Sequence, residues 1–244
     1  GKMSFLEHLD ELRKRLIVSV YALIAGCAIS FFFVQRLQDF IYEPLYLLMP
    51  GGQQLIYTAP MEAFMNMMKV GALGGLFLAM PVIVLQLWLF IAPGLYANEK
   101  RFAIPFVLLG TFFFVGGAAF SHYIAFPVSW RFFLGFESQY LKFMPKLSDV
   151  FSLWVKMLLA LGVIFQMPTI VFFLARMGLV TAGFLVKHTK YAVLIIFVLG
   201  AVLSPGTDVV SQAMMAGPML VLYAVSIGIA WIFAKRKKAE EAAP

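Results

Sequence analysis

Two short segments hold most of the chemistry this sequence offers. The first is Phe5-Leu6-Glu7-His8-Leu9-Asp10-Glu11-Leu12-Arg13-Lys14-Arg15-Leu16. Phe5, Leu9, Leu12 and Leu16 recur at helical spacing and share an apolar face, while Glu7 and Glu11 share another. The second is Phe90-Ile91-Ala92-Pro93-Gly94-Leu95-Tyr96-Ala97-Asn98-Glu99-Lys100-Arg101, a compact loop whose carboxylate precedes two cations. A carboxylate can hold a planar guanidinium through two parallel hydrogen bonds, which a lysine ammonium cannot reproduce. The carboxylates Glu7, Asp10, Glu11 and Glu99 are the candidate binding groups of the two segments. A plainer account stands beside this one. Asp10 with Lys14 and Glu11 with Arg15 are i,i+4 pairs worth about 0.2–0.5 kcal/mol each, and a surface helix carries such pairs without a ligand. Glu99 can likewise pair with its neighbours.

Gln166 is the third feature, at the middle of the apolar run Met157 to Ala175 in Phe165-Gln166-Met167-Pro168. Polar groups inside lipid are costly and usually functional. The alternative is an interhelical hydrogen bond that serves packing, worth about 0.6–2 kcal/mol. Gln86 poses the same choice in a second run, and His122 reads as an interfacial residue near the end of a third. Acids and bases are missing from the middles of the runs, which argues against an ion-coupled carrier or pump. No metal-ligand spacing, nucleophile–base pattern or phosphate loop occurs, so no catalytic residue, metal or cofactor is expected. Cys27 stands alone, which excludes an internal disulfide and a Cys-based zinc site and leaves a small apolar packing residue.

The elements that must position these residues follow from composition. Of 244 residues, 62% are hydrophobic and only 13% are charged, against about 25% charged in a soluble domain. That excludes a soluble enzyme, a disordered chain and a secreted disulfide scaffold; lipid is the solvent. A bilayer core takes about 20 apolar residues per helix. Runs at about 16–34, 70–92, 102–126, 157–175, 191–204 and 209–233 predict an all-α membrane protein of six transmembrane helices in one domain, 1–244. The fifth run is short and forms a tight hairpin with the sixth around Ser204-Pro205-Gly206-Thr207-Asp208. Pro81, Pro105 and Pro168 lie inside runs and predict kinks, which suit a concave bundle. Gly71-x-x-x-Gly75 permits close helix approach, although the motif is weak in a glycine-rich chain. The first run follows a charged stretch and spans fully, so it reads as an anchor and not as a cleavable signal.

Six spans put both termini on one side. Thirteen of the 19 Lys and Arg residues then fall on that side, including Arg13 to Arg15, Lys100, Arg101 and Lys235 to Lys238. The bias predicts cytoplasmic N and C termini. Acidic residues divide evenly, so this face carries the whole net charge of +7. Such a face attracts anionic lipid headgroups. The longer segments 35–69 and 127–156 fall on the opposite side and predict an outer cap with short interfacial helices.

The pattern His-Leu-x-Glu-Leu-Arg-x-Arg-Leu at 8–16, the loop Phe-x-x-Pro-x-Leu-Tyr-x-x-Glu-Lys-Arg at 90–101, Phe165-Gln166-Met167-Pro168, and Ser204-Pro205 through Asp208 to Ser211-Gln212 occur in order along six apolar runs. Together they resemble the TatC family, the multispanning core of the twin-arginine protein translocase. The resemblance spans about Phe5 to Phe233. It implies export of folded proteins across a bacterial or archaeal plasma membrane, driven by the proton-motive force, with twin-arginine signal peptides bound at the cytoplasmic face. It carries signal-peptide binding onto Glu11 and Glu99, which would receive the two arginines in a local negative pocket with Glu7 and Asp10 behind them, and onto Arg13, Phe90, Leu95, Tyr96, Lys100 and Arg101; Arg13 and Arg101 are expected to position the carboxylates. It implies single-span TatA- and TatB-type subunits as partners, in a hetero- and homo-oligomer, and no nucleic acid. Pro44 and Asp208 match outer-face positions, where a cap turn and a hairpin turn are expected. The family often has glutamate where this chain has Gln166, a position implied to contact a partner subunit; glutamine still hydrogen-bonds but cannot titrate. Two other readings remain: a small-solute secondary transporter, which predicts a midplane site and an inverted repeat, and an intramembrane enzyme, which predicts a reactive constellation. The sequence shows neither.

Overall fold

Helix follows helix along the chain, as apolar runs in lipid require, because every backbone N–H and C=O must find its partner within the segment. The computed structural model describes residues 5–49, 54–91, 103–204 and 209–241. They form α1 (Phe5–Phe32), α2 (Val34–Tyr46), α3 (Pro60–Ile91), α4 (Ala103–Phe120), a π-helical turn (Ser121–Ala125), α5 (Phe126–Leu134), α6 (Leu147–Ile164), α7 (Met167–Arg176), α8 (Ala182–Lys187), α9 (Thr189–Leu203) and α10 (Val209–Glu241). There is no strand among the described residues, only one isolated bridge between Ile56 and Lys146. Five stretches are long and apolar enough to cross a membrane, and the 15-residue α9 is a shorter sixth. At 1.5 Å per residue α9 spans only about 22 Å of a core about 30 Å thick. The chain is a multi-pass helical membrane protein.

The prolines sort by their surroundings. Proline lacks an N–H and its ring clashes with the carbonyl four residues earlier. For Pro168 that residue is Ile164, where α6 stops; Phe165 and Gln166 form a turn before α7 restarts. Pro105 corrects the expected kink: it lies in the first turn of α4, where the missing N–H removes no helical bond. Helix α3 runs on through Pro81. The third run also continues further than expected. The π-helical turn widens the helix just ahead of Pro127, and α5 carries the same segment on to Leu134 despite the charge of Arg131.

The chain divides into two compact units. The first comprises residues 1–47, 52–112 and 145–151. In it α1 and α3 run antiparallel. A Cβ on Gly26 would stand 2.5 Å from the Gly75 carbonyl oxygen, so only glycine allows this crossing. The Cys27 thiol sits beside it, donating to the Ala72 carbonyl at 3.8 Å. Gly71 and Gly75 are thus both at the interface, Gly71 against the Phe31 ring. Outside this stripe α1 is exposed, Leu16, Ile24 and Phe32 included, as a lipid-facing surface is. Beyond α2, the segment at Ile56 bonds to Pro145 and Leu147 through backbone hydrogen bonds of 3.1 and 2.8 Å. Glu62 fastens it: its carboxylate accepts from the Thr58 and Ser148 amides, both at 3.0 Å, and faces Lys146 Nζ at 3.7 Å.

The second unit comprises residues 48–51, 113–144 and 152–244. Its core gathers Ala125, Met157, Leu161, Ile196, Met215, Ala216, Met219 and Tyr223. The α9–α10 pair is close because Gly200 faces the Gln212 carbonyl, and the Gln212 side-chain amide donates to the Phe197 carbonyl at 2.8 Å. Lys156 Nζ donates to the Val202 carbonyl at 3.2 Å, a cation at the C-terminal end of α9. His122 corrects the expectation of an interfacial residue. It is 2% exposed, and its Nδ1 accepts from Trp154 Nε1 at 3.2 Å.

Candidate functional site

Residues at the start of α1 meet residues near the end of α3. The apolar face of α1 is exposed, with Leu9 and Leu12 open and Leu16 more so, while Glu11 and Arg15 turn toward α3. Arg15 Nε donates to Glu11 Oε1 at 2.7 Å, and Arg15 Nη2 pairs with the same oxygen. Arg15 Nη1 reaches across to Gln86 Oε1 at 3.3 Å. One turn beyond Gln86, the Phe90 ring stacks on the His8 imidazole, with centroids 4.6 Å apart and planes 25° apart. Three residues of the first-segment pattern, His8, Glu11 and Arg15, and two from the end of α3, Gln86 and Phe90, thus form one patch.

The i,i+4 geometry explains which arginine engages Glu11. Residues four apart lie on one helix face, whereas a residue two further on points away. Arg15 therefore takes the carboxylate, while Arg13 is exposed and makes no ion pair or hydrogen bond among the described residues. The plainer reading of Glu11 is fulfilled in this respect; the corresponding Asp10–Lys14 pair is not formed. The Glu11 side chain keeps only 19% of its exposure, so the carboxylate is half-sheltered. Both Arg15 contacts use Oε1. The second oxygen has no partner among the described residues and is available to a further donor.

Leu95, Tyr96, Glu99, Lys100 and Arg101 lie outside the described residues, as does Asp208. Pro44 is in the last turn of α2, three residues before the turn at Leu47. Gln166 precedes α7 at the break in the fourth run, half-buried, with its backbone N–H donating to the Val163 carbonyl at 2.9 Å and its backbone carbonyl accepting from the Ile170 N–H at 2.9 Å. The aromatic neighbour Phe165 packs on Phe120 at 5.8 Å. Sequence reasoning undervalued Gln86. Its signal was weak: a single polar side chain four residues before Phe90, with its partner 71 positions away.

A second polar site lies on α2. A cavity of about 250 Å³ opens there, bounded by Gln38, Asp39, Tyr42, Tyr46, Leu55 and Tyr57. Tyr42 is 2% exposed and donates to Asn66 Oδ1 at 3.0 Å. Burial, and then the nearby Asp39 carboxylate, push the Tyr46 hydroxyl above its ordinary pKa. No group of three or more potential metal ligands occurs among the described residues.

The family described as Sec-independent protein translocase protein (TatC) matches residues 7–218. The Sec-independent protein translocase protein TatC of Desulforapulum autotrophicum is 45% identical over 240 residues, covering 98% of this chain and 88% of that one. Its counterpart from Koribacter versatilis is 38% identical, covering 98% and 91%. Among solved structures, the crystal structure of the twin arginine translocase receptor TatC superimposes with a TM-score of 0.77 at 36% identity, over 92% of this chain and 98% of that one. The same receptor crystallised in DDM gives a TM-score of 0.79 at 36% identity, over 92% and 99%.

Proposed function

The chain belongs to the TatC family, and from that membership we propose that it is the signal-peptide receptor and organising core of a twin-arginine translocase. The observation that carries the reading is the half-sheltered Glu11 carboxylate, which already holds a guanidinium and keeps one oxygen open. An incoming arginine fork needs both oxygens, so it displaces Arg15 from Oε1 while Gln86 retains the displaced side chain. An ammonium needs only one oxygen and gains less. Glu99 is the second receiver, with Phe90 and His8 as an aromatic wall beside the first and Leu95, Tyr96, Lys100 and Arg101 around the second. Arg15 takes the positioning role that the resemblance assigned to Arg13.

In this reading both termini are cytoplasmic, the chain sits in the bacterial or archaeal plasma membrane, and 35–69 with 127–156 form its outer cap. It carries no catalytic chemistry; the proton-motive force across the assembly drives export. Single-span TatA- and TatB-type subunits dock along its helices, with Gln166 as a polar contact at mid-span. Pro44 and Asp208 have structural roles on the outer face.

The test is binding of a twin-arginine peptide and its twin-lysine variant to the full chain in detergent. The twin-arginine peptide binds more tightly, and Glu11→Ala with Glu99→Ala removes the difference. Equal affinity for the two peptides, or undiminished binding by the double variant, overturns the recognition mechanism.

A further inference from the structure

The cavity on α2 lies apart from the arginine-binding patch, and its chemistry is different. Among the described residues that bound it, Asp39 is the only charged one, and its carboxylate makes no ion pair or hydrogen bond among them. Arg36, three residues earlier on α2, makes no ion pair or hydrogen bond among the described residues, and Lys146, next to the lining residue Leu147, already faces Glu62. Three tyrosines, Tyr42, Tyr46 and Tyr57, supply aromatic rings around the same space, with Gln38 adding a polar edge. Unpaired negative charge with aromatic faces suits a cation, because a ring quadrupole attracts positive charge and a carboxylate supplies the rest. No lysine or arginine is among the described residues that line the cavity, so its walls offer an anion no cation.

Size and depth narrow the ligand. A cavity of about 250 Å³ is below the roughly 300–1,000 Å³ of sites that enclose a drug-sized molecule. It suits one small charged group whose remainder lies outside. Helix α2 begins two residues after α1 ends, directly beyond the first apolar run. Exposed Phe32 and Phe33 precede its start, exposed Phe40 lies at its middle, and Leu47, 79% exposed, follows its end. This is the composition of a helix at the membrane–water boundary, where tyrosines gather at head-group level. The floor of the cavity is fixed, since Tyr42 is held by Asn66.

We propose that this cavity is a binding site for the ammonium head group of a zwitterionic phospholipid, held between Asp39 and the tyrosines while its acyl chains lie along the exposed face of α1. The glycerophosphate stays outside the cavity. A soluble amine shares the ammonium chemistry but lacks the lipid portion.

The test is native mass spectrometry of the full chain released from nanodiscs of equal phosphatidylethanolamine and phosphatidylglycerol. The wild type retains phosphatidylethanolamine over phosphatidylglycerol by about fivefold, the combined scale of a solvent-exposed cation–π contact and one carboxylate. Asp39→Asn, a shape-conserving change at an exposed position, abolishes the preference while the unfolding temperature stays at the wild-type value. Tyr57→Ala, at a ring 62% exposed, lowers it severalfold. Millimolar ethanolamine leaves the retained lipid in place. Unchanged retention in both variants overturns the site, as does equal retention of phosphatidylglycerol. Displacement by free ethanolamine overturns the assignment to lipid.

Discussion

Gly75→Ala tests whether the crossing of α1 and α3 sets the geometry of the arginine-binding patch. The added Cβ would lie 2.5 Å from the Cys27 backbone nitrogen and 2.6 Å from its Cα, where ordinary contact begins at 3.4 Å. Backbone atoms cannot rotate away, so the two helices must separate by about 1 Å. Overpacking of this kind costs about 1–3 kcal/mol, and alanine's better helix propensity returns about 1 kcal/mol. A net loss of about 1 kcal/mol lowers the unfolding temperature by roughly 2–4 °C for a chain of this size. The effect also travels along the helices. Arg15 lies eleven residues before Gly26, and Gln86 lies eleven after Gly75. Eleven residues are close to three full turns, so the glycine contact and the Arg15–Gln86 contact share one face in register. A 3.3 Å hydrogen bond does not survive an opening of 1 Å. The assay is thermal unfolding in one detergent, combined with a double-mutant cycle on Arg15→Gln and Gln86→Leu. The coupling in that cycle is present in the parent and vanishes in Gly75→Ala. Gly228→Ala is the counter-case: nothing lies within 4 Å of its added carbon, so it raises stability by about 0.5–1 kcal/mol. An unfolding temperature for Gly75→Ala at or above the parent's, with the coupling intact, refutes the reasoning.

Other outcomes are expected elsewhere. Trp154→Phe removes the donor to buried His122 and destabilises by about 1–3 kcal/mol, and His122→Phe added to it recovers part of that loss; thermal unfolding of the single and double variants measures both. Glu62→Ala leaves the Ser148 amide without its acceptor, so limited proteolysis cuts the segment around Ile56 faster than in the parent. Pro168→Ala restores a backbone donor opposite the Ile164 carbonyl, and hydrogen exchange slows across 165–169 as α6 and α7 join. Export of a folded reporter falls in Gln166→Ala and persists in Gln166→Glu; full export by Gln166→Ala reduces that residue to packing.

Much of the fold was legible because lipid leaves few choices. Charge-free runs of the required length become helices, and the short α9 was visible in where its run ended. The break at Gln166 was half-legible: Pro168 announced a disturbance, but a kink and a full interruption look the same in sequence. The third run extends beyond the expected end at 126, where Pro127 reads as a stop and the charge of Arg131 follows. A helix can carry its hydrogen bonding past a charge, and the π-helical turn that accommodates Pro127 has no sequence signature of its own. At the site, Glu11 and Phe90 stood out in their motifs. Gln86 did not, because its partner comes from another helix and only the glycine crossing fixes which residues face each other. The α2 cavity was hidden for the same reason: Tyr57 and Leu55 reach it from a segment whose path depends on the backbone bridge to Pro145 and Leu147.

The interruption at Phe165 and Gln166 also has a mechanical meaning. Bending an unbroken helix stretches backbone hydrogen bonds on its convex side. In the fourth run the bond from position 168 to Ile164 is absent at the outset, because proline has no hydrogen to give. Flexing there strains only side-chain packing. The segment therefore behaves as two short stiff rods with a compliant joint, and the joint lies beside the one glutamine of that run. A push on either rod is taken up at Gln166, while both ends keep their hydrogen bonds.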